Sequence, residues 1–292
     1  MSDKEQQSIG GAANFWLYFP QLNEYDLTHP PTPESPTVFP RMELETTKAR
    51  VTIAPTKTAL VITDLQNYFL SPLLGRPRDA VGMKAVDKLV NLAIPACRLQ
   101  RKAEIPIVWL NWGLTEDDIE GMPPSIAKGF APNDNFDSPH RMGGLGSEVG
   151  PVKLEDGSII DGGRVIMRGS WVAESYTPLK RLRQPSDIYI HKNRLSGFWG
   201  GTSVEEALTS QGIRTLLFAG ANVDQCVGSS LQDALMKGWD CLLLSDGCAT
   251  TSPDYCRQCI EYNAGDGWGF MLSCEQLARA AENIRFLPDK SV

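Results

Sequence analysis

The sequence predicts an α/β protein built on one parallel sheet with helices on both faces. From Thr58 onward, short apolar runs alternate with segments of helical periodicity, and six of these runs are typical of strands. Strands that alternate with helices form parallel sheets with right-handed crossovers. At 292 residues the chain is long enough for one such domain with extra loops. We therefore expect a three-layer α/β/α architecture around a six-stranded, mostly parallel sheet.

The elements follow in order along the chain. The predicted strands are short and apolar and cover 59–64, 105–110, 187–191, 215–219, 241–244 and 269–271. The predicted helices cover 81–102, 203–211, 225–237, 253–262 and 275–284. Between 111 and 185 the sequence is rich in Gly and Pro, and the turn at Asp156-Gly157 predicts a hairpin over 153–160. An irregular region of this length usually forms a lid or a binding wall.

Residues 1–56 differ from the rest of the chain. Seven prolines, at positions 20, 30, 31, 33, 36, 40 and 55, disfavour a continuous helix or a central strand there. The sequence thus predicts a Pro-rich N-terminal extension over 1–56 and a domain over 57–292. The apolar segment 15–19 would be costly to expose, so we expect it to lie on its own domain or on a neighbouring subunit.

Charge and hydropathy exclude several classes of function. The net charge of −7 and the sequence pI near 5.1 argue against a nucleic-acid partner. The first residues are polar where a signal peptide needs an apolar core, and no apolar run approaches the length of a membrane span. We therefore expect a cytoplasmic protein without membrane contact.

The seven cysteines indicate reduced thiols, since an odd number clustered in the C-terminal half does not suit a disulfide framework. The pair Cys256 and Cys259 falls inside a predicted helix, and no second pair at matched spacing completes a zinc site. Six cysteines are thus expected to be structural. They are Cys97, Cys241, Cys248, Cys256, Cys259 and Cys274.

Cys226 is the exception, because it lies where an apolar strand gives way to a helix. A helix N-terminus favours a thiolate and can hold an oxyanion. Asp64 and Lys192 also follow predicted strands, and the carboxyl ends of parallel strands meet at one edge of a sheet. There the carboxylate could take the thiol proton, the thiolate could attack a carbonyl, and the ammonium would balance the negative charge.

The segments around these residues resemble the isochorismatase-like cysteine hydrolase family. The matching segments are 61–69, 192–202 and 220–227, and the likeness continues through 234–238 and 245–249. The resemblance spans 58 to about 286 and implies a catalytic triad of Asp64, Lys192 and Cys226. It also implies a cis peptide bond between Ala221 and Asn222, with the N–H groups of Asn222 and Cys226 forming an oxyanion hole.

This sequence differs from two branches of the family at residues that determine the type of reaction. Nicotinamidases carry an Asp-x-His and a further His for a metal, whereas His29, His140 and His191 show no such spacing. We therefore expect no metal and no cofactor. Isochorismatases proper replace the nucleophilic cysteine by a small residue, so the presence of Cys226 favours acyl transfer.

Aromatic residues near these motifs are candidates to line a substrate pocket. Tyr68 follows the Asp64 strand, Trp112 the second strand and Trp199 the Lys192 strand, while Trp171 lies in the long irregular region. Such a pocket suits a flat or apolar acyl group.

The function predicted from the sequence is a cysteine-dependent hydrolase that cleaves a C–N bond of a small amide, carbamoyl or ureido compound through a thioester. Two alternatives remain open: a non-hydrolytic acyl-transfer or cyclisation enzyme of secondary metabolism, and a ligand-binding pseudoenzyme. The expected partners are a small-molecule substrate and further copies of the chain, in a dimer or tetramer.

Overall fold

The computed structural model describes residues 6–77, 81–130 and 143–287. The strands are β1 (Gln7–Gly11), β2 (Asn14–Phe19), β3 (Glu24–Leu27), β4 (Met42–Glu45), β5 (Arg50–Ile53), β6 (Thr58–Thr63), β7 (Ile107–Trp112), β8 (Pro151–Lys153), β9 (Ile159–Asp161), β10 (Ile188–Lys192), β11 (Thr215–Ala221), β12 (Asp240–Ala249) and β13 (Phe270–Leu272). The α-helices are α1 (Asn67–Leu70), α2 (Val81–Lys88), α3 (Ile94–Arg98), α4 (Glu116–Glu120), α5 (Pro124–Gly129), α6 (Thr177–Lys180), α7 (Val204–Ser210), α8 (Gly228–Met236), α9 (Asp254–Asp266) and α10 (Cys274–Glu282). Two π-helical turns, Leu89–Ala93 and Val223–Val227, join α2 to α3 and lead into α8.

The predicted central sheet is confirmed. Its six strands lie in the order β10-β7-β6-β11-β12-β13, and every neighbouring pair is parallel. Strands β6, β7 and β11 are buried along their whole length because separate apolar clusters cover the two faces of the sheet. This double coverage explains why these strands are continuously apolar instead of alternating.

Among the strands that extend further than the sequence predicted, β7 and β10 lie side by side. β7 ends at Trp112 and β10 at Lys192, and these two residues are register partners. Because parallel pairing continues to this point, Lys192 is the last residue of its strand rather than the first residue after it. The hairpin predicted over 153–160 is also present, as β8 and β9.

The N-terminal extension forms a sheet, although its prolines disfavour a continuous helix or a central strand. Strands β1 to β5 form a second sheet in the order β1-β2-β3-β5-β4, in which β3 and β5 are parallel neighbours. The prolines lie in the connections between the strands, where the missing N–H breaks no ladder hydrogen bond. The prolines therefore interrupt the extension without preventing a sheet from forming between them.

One buried carboxylate ties this second sheet to the central one. Asp240, at the start of β12, accepts hydrogen bonds from Trp16 Nε1 at 2.7 Å and Thr215 Oγ1 at 2.9 Å, and lies 2.5 Å from His29 Nε2. The Trp16 ring also packs on Phe270 of β13, with centroids 5.5 Å apart. The apolar segment 15–19 thus lies on the chain's own domain, at the edge of the central sheet opposite the carboxyl ends of its strands.

No helix within the described ranges combines the length and the apolar character needed to cross a membrane.

Candidate active site

Asp64 is the first residue after β6, at the carboxyl edge of the central sheet. Its backbone adopts a left-handed conformation, with φ 54°, which Asp tolerates better than most residues. Its N–H still donates to Leu110 O at 3.1 Å, and its carboxylate Oδ1 accepts the backbone N–H of Trp112 at 3.1 Å. The carboxylate is therefore held by the neighbouring strand and is almost completely buried.

Lys192 places a fully buried ammonium against this carboxylate. Its Nζ lies 2.9 Å from Asp64 Oδ2 and donates to Arg194 O at 3.1 Å. The same nitrogen sits 4.0 Å from the centre of the Trp112 ring, a cation–π contact. A buried charge needs such partners to be tolerated, and the sequence-based expectation that Lys192 faces Asp64 is met geometrically.

Cys226 approaches Asp64 and Lys192 from β11, on the other side of β6. It lies in the π-helical turn Val223–Val227, directly after β11, and both the charge of Asp64 and hydrogen bonding with its side chain raise the pKa of the thiol. The peptide bond between Ala221 and Asn222, between the strand and this turn, is cis. The structure therefore brings Asp64, Lys192 and Cys226 together in one buried cluster, as their positions after neighbouring strands predicted.

Close approach between β11 and β6 requires Gly220. Its φ is +124°, and a Cβ on this residue would lie 2.1 Å from Thr63 O. No side chain fits that space, so glycine allows the strand that leads to Cys226 to run tightly beside the strand that leads to Asp64.

Burial dominates the protonation of the site. Desolvation raises the pKa of Cys226 to about 12, while the positive charge of Lys192 opposes this rise and the charge of Asp64 adds to it. Desolvation likewise raises the pKa of Asp64 above its ordinary value of 3.8, against the attraction of Lys192. In the resting site the cysteine is thus a neutral thiol. Burial thus opposes the low thiol pKa that a helix N-terminus favours, and a base has to remove the thiol proton.

Trp112 was predicted to line the substrate pocket. Its side chain is fully buried, in the same apolar cluster as Cys226 and with its ring centre 4.0 Å from Lys192 Nζ. Gln66, which the sequence analysis missed, fixes its backbone: Gln66 Oε1 accepts the Trp112 N–H at 3.1 Å, and Gln66 Nε2 donates to Trp112 O at 2.8 Å.

The other aromatic candidates separate into two groups. Tyr68 and Trp171 are partly buried and pack on the apolar cluster that contains Cys226. Trp199 is 42% exposed and stacks with Arg194 instead, 5.0 Å from its ring centre. Phe130 was not predicted, yet its ring meets Trp112 at a centroid distance of 5.1 Å and Tyr68 at 6.4 Å. It follows α5 inside the long irregular region, where the sequence shows no periodicity that would mark it.

The two histidines in the described ranges, His29 and His191, are not part of the cluster. His29 binds Asp240 at the opposite edge of the sheet, His191 lies on β10, and His140 is outside the described residues. Within the described ranges, no group of three His, Cys, Asp or Glu side chains could hold a metal ion.

Comparison with known proteins identifies the family of the chain. The family model for the isochorismatase domain matches residues 58–265. The chain belongs to the isochorismatase-domain family. Asp64, Lys192 and Cys226 all lie within the matched range.

Two relatives and one solved structure illustrate what the chain is similar to. The ureidoacrylate amidohydrolase RutB of Pseudomonas savastanoi pv. phaseolicola is 30% identical over 224 residues, which cover 76% of this chain and 82% of that protein. The ureidoacrylate amidohydrolase RutB of Pseudomonas syringae pv. syringae is 27% identical and covers 82% and 90%, respectively. The crystal structure of a cysteine hydrolase from Pseudomonas syringae pv. phaseolicola superimposes with a TM-score of 0.56 at 15% identity and covers 78% of this chain and 94% of that one.

Proposed function

We propose that this protein is a cysteine-dependent hydrolase that cleaves a C–N bond of a small amide, carbamoyl or ureido compound through a thioester. The observation that carries the proposal is the buried Asp64–Lys192 pair, 2.9 Å apart, in contact with the Cys226 thiol. Its similarity to ureidoacrylate amidohydrolases supports the same bond type.

The first half of the reaction forms the thioester. Asp64 takes the proton of the Cys226 thiol, and the sulfur attacks the substrate carbonyl carbon to form a C–S bond. The N–H groups of Asn222 and Cys226 hold the developing oxyanion. Asp64 returns the proton to the substrate nitrogen, the C–N bond breaks, and the amine or ammonia departs.

The second half releases the acid. Asp64 removes a proton from a water molecule, which attacks the thioester carbonyl; the C–S bond breaks and the sulfur recovers the proton. Lys192 keeps Asp64 usable as a base in an apolar site, because its charge opposes the rise of the carboxyl pKa that burial causes.

A release assay tests the proposal directly. Wild type and the Cys226→Ala variant are incubated with a panel of small amides, carbamoyl compounds and ureido acids, including ureidoacrylate, and released ammonia and amine are quantified. We expect turnover of at least one compound by the wild type, none by Cys226→Ala, and a mass increase on Cys226 during turnover. Equal turnover by both proteins would refute a cysteine mechanism.

Adding an amine acceptor separates hydrolysis from acyl transfer. A hydrolase gives the free acid at an unchanged rate, whereas a transferase diverts the acyl group to the amine. A protein that binds these compounds without turnover would instead be a ligand-binding protein.

A further inference from the structure

Trp112 contacts each member of the Asp64, Lys192 and Cys226 cluster through a different part of its structure. Its backbone N–H donates to Asp64 Oδ1 at 3.1 Å. The face of its ring lies 4.0 Å from Lys192 Nζ. Its indole Nε1 is buried, its ring belongs to the same apolar cluster as Cys226, and its side chain lowers the pKa of the Cys226 thiol. Pocket lining alone does not explain contact with all three.

The indole N–H has no satisfied hydrogen bond in the resting site. Nε1 of Trp112 is among the few buried side-chain nitrogens in the described ranges without an acceptor at normal distance. Buried tryptophan N–H groups usually find a partner, and leaving one unpaired is unfavourable. Hydrogen bonding from the Trp112 side chain favours the ionised form of the Cys226 sulfur and so lowers the pKa of the thiol, against the larger effect of burial.

A neutral thiol and a thiolate differ greatly as acceptors. The sulfur of a thiol accepts hydrogen bonds weakly, whereas an anionic acceptor roughly doubles the strength of the bond. An N–H that is unpaired against the thiol therefore gains a partner at the moment when Asp64 takes the proton. Such an interaction is stronger in the reactive state than in the resting state, which is the requirement for faster reaction.

We infer that the indole N–H of Trp112 donates a hydrogen bond to the Cys226 sulfur as it becomes a thiolate, so that Trp112 is a positioning residue of the active site. The inference rests on the proposed function, in which Cys226 is the nucleophile. Gln66 supports the arrangement because it binds both the N–H and the carbonyl of Trp112 and so fixes the position of the ring.

Trp109 provides a matched control on the same strand. It is also a buried tryptophan of β7, but its Nε1 donates to Asp187 Oδ2 at 2.8 Å, away from the cluster. Trp109→Phe therefore removes a buried indole N–H without touching Cys226, and Trp112→Phe removes the one that faces it.

The test measures the reactivity of the thiol without any substrate. Wild type, Trp112→Phe and Trp109→Phe are alkylated with iodoacetamide between pH 6 and 10, and modification of Cys226 is followed by mass spectrometry, with the exposed Cys259 as internal standard. Loss of a hydrogen bond to a charged acceptor should lower the alkylation rate of Cys226 about tenfold in Trp112→Phe, with its pH profile displaced to higher pH. Trp109→Phe should follow the wild type.

A second variant separates the N–H from the ring. Incorporating benzothienylalanine at position 112 replaces the N–H by sulfur and keeps the ring shape, and it should reproduce the displaced profile. An unchanged profile with this analogue, or an equal displacement in Trp109→Phe, would overturn the inference. Because iodoacetamide reports on the thiol alone, either result is independent of the Cys226→Ala turnover assay that tests the proposed function.

Discussion

Replacing Lys192 by Met tests how far the buried ammonium stabilises the site. The substitution keeps an unbranched side chain of similar length and removes the charge. Asp64, which is 1% exposed, then loses the cation 2.9 Å away. Breaking a buried pair by removing one partner typically lowers the free energy of unfolding by about 3–5 kcal/mol.

In Lys192→Met, protonation of Asp64 limits the loss of unfolding free energy and makes that loss depend on pH. For a carboxyl with an ordinary pKa of 3.8, remaining neutral at pH 7 costs about 4 kcal/mol, and at pH 5 about 2 kcal/mol. A carboxyl whose folded pKa is raised loses stability as pH increases from 3.8 towards the folded pKa. Since Lys192 opposes this rise in the wild type, the difference between the proteins should widen with increasing pH.

Urea unfolding followed by tryptophan fluorescence at pH 5 and pH 7 measures both effects. Lys237→Met is the matched control, because Lys237 pairs with Glu205 at the surface and such pairs contribute at most about 1 kcal/mol. The reasoning fails if Lys192→Met loses no more stability than Lys237→Met, or if its loss is as large at pH 5 as at pH 7.

Three further substitutions probe other parts of the structure. Asp240→Ala leaves three hydrogen-bond donors unpaired between the two sheets, those of Trp16, His29 and Thr215. In urea titrations it should lower the free energy of unfolding by about 3 kcal/mol, and kcat should not change. A lower kcat at unchanged stability would contradict a structural role for Asp240. Phe130→Ala removes the ring that packs on Trp112 and should raise KM about tenfold in steady-state assays, and a loss confined to kcat would disprove this. Gly220→Ala forces a Cβ against a β6 carbonyl and should lower the stability of the protein by about 3 kcal/mol, measured by calorimetry. Its control is Gly212→Ala, because Gly212 also has a positive φ, +70°, but open space around it, and this substitution should cost about 1 kcal/mol. Similar losses of stability in both variants would count against the close approach of β11 to β6.

The sequence predicted the central sheet because its strands carry a local signal. Runs such as 59–64 and 215–219 are almost continuously apolar. Only a strand that is covered on both faces can bury all the side chains of such a run. The positions of Asp64, Lys192 and Cys226 after those runs then predicted their convergence, because parallel strands direct their carboxyl ends to one edge. The family likeness named the same three residues.

The N-terminal extension was harder to predict because its stability is not local. Its strands are short and separated by prolines, so each one depends on partners far along the chain. Trp16 contacts Asp240 and Phe270, which lie more than two hundred residues away along the chain. No sequence pattern within 1–56 predicts these contacts. Phe130 was missed for the same reason, since only packing against Trp112 marks its position.

The sequence by itself determined the fold class, the family and the identity of the clustered carboxyl, ammonium and thiol groups. Residue types and the succession of strands and helices along the chain can be read from local sequence patterns. Only the tertiary structure decided the protonation of Cys226 and the position of Trp112. Both depend on how completely water is excluded and on which buried groups face one another, and these quantities exist only once the chain has packed. A tryptophan that the sequence assigned to a pocket wall is therefore, in the folded protein, a neighbour of all three reactive groups.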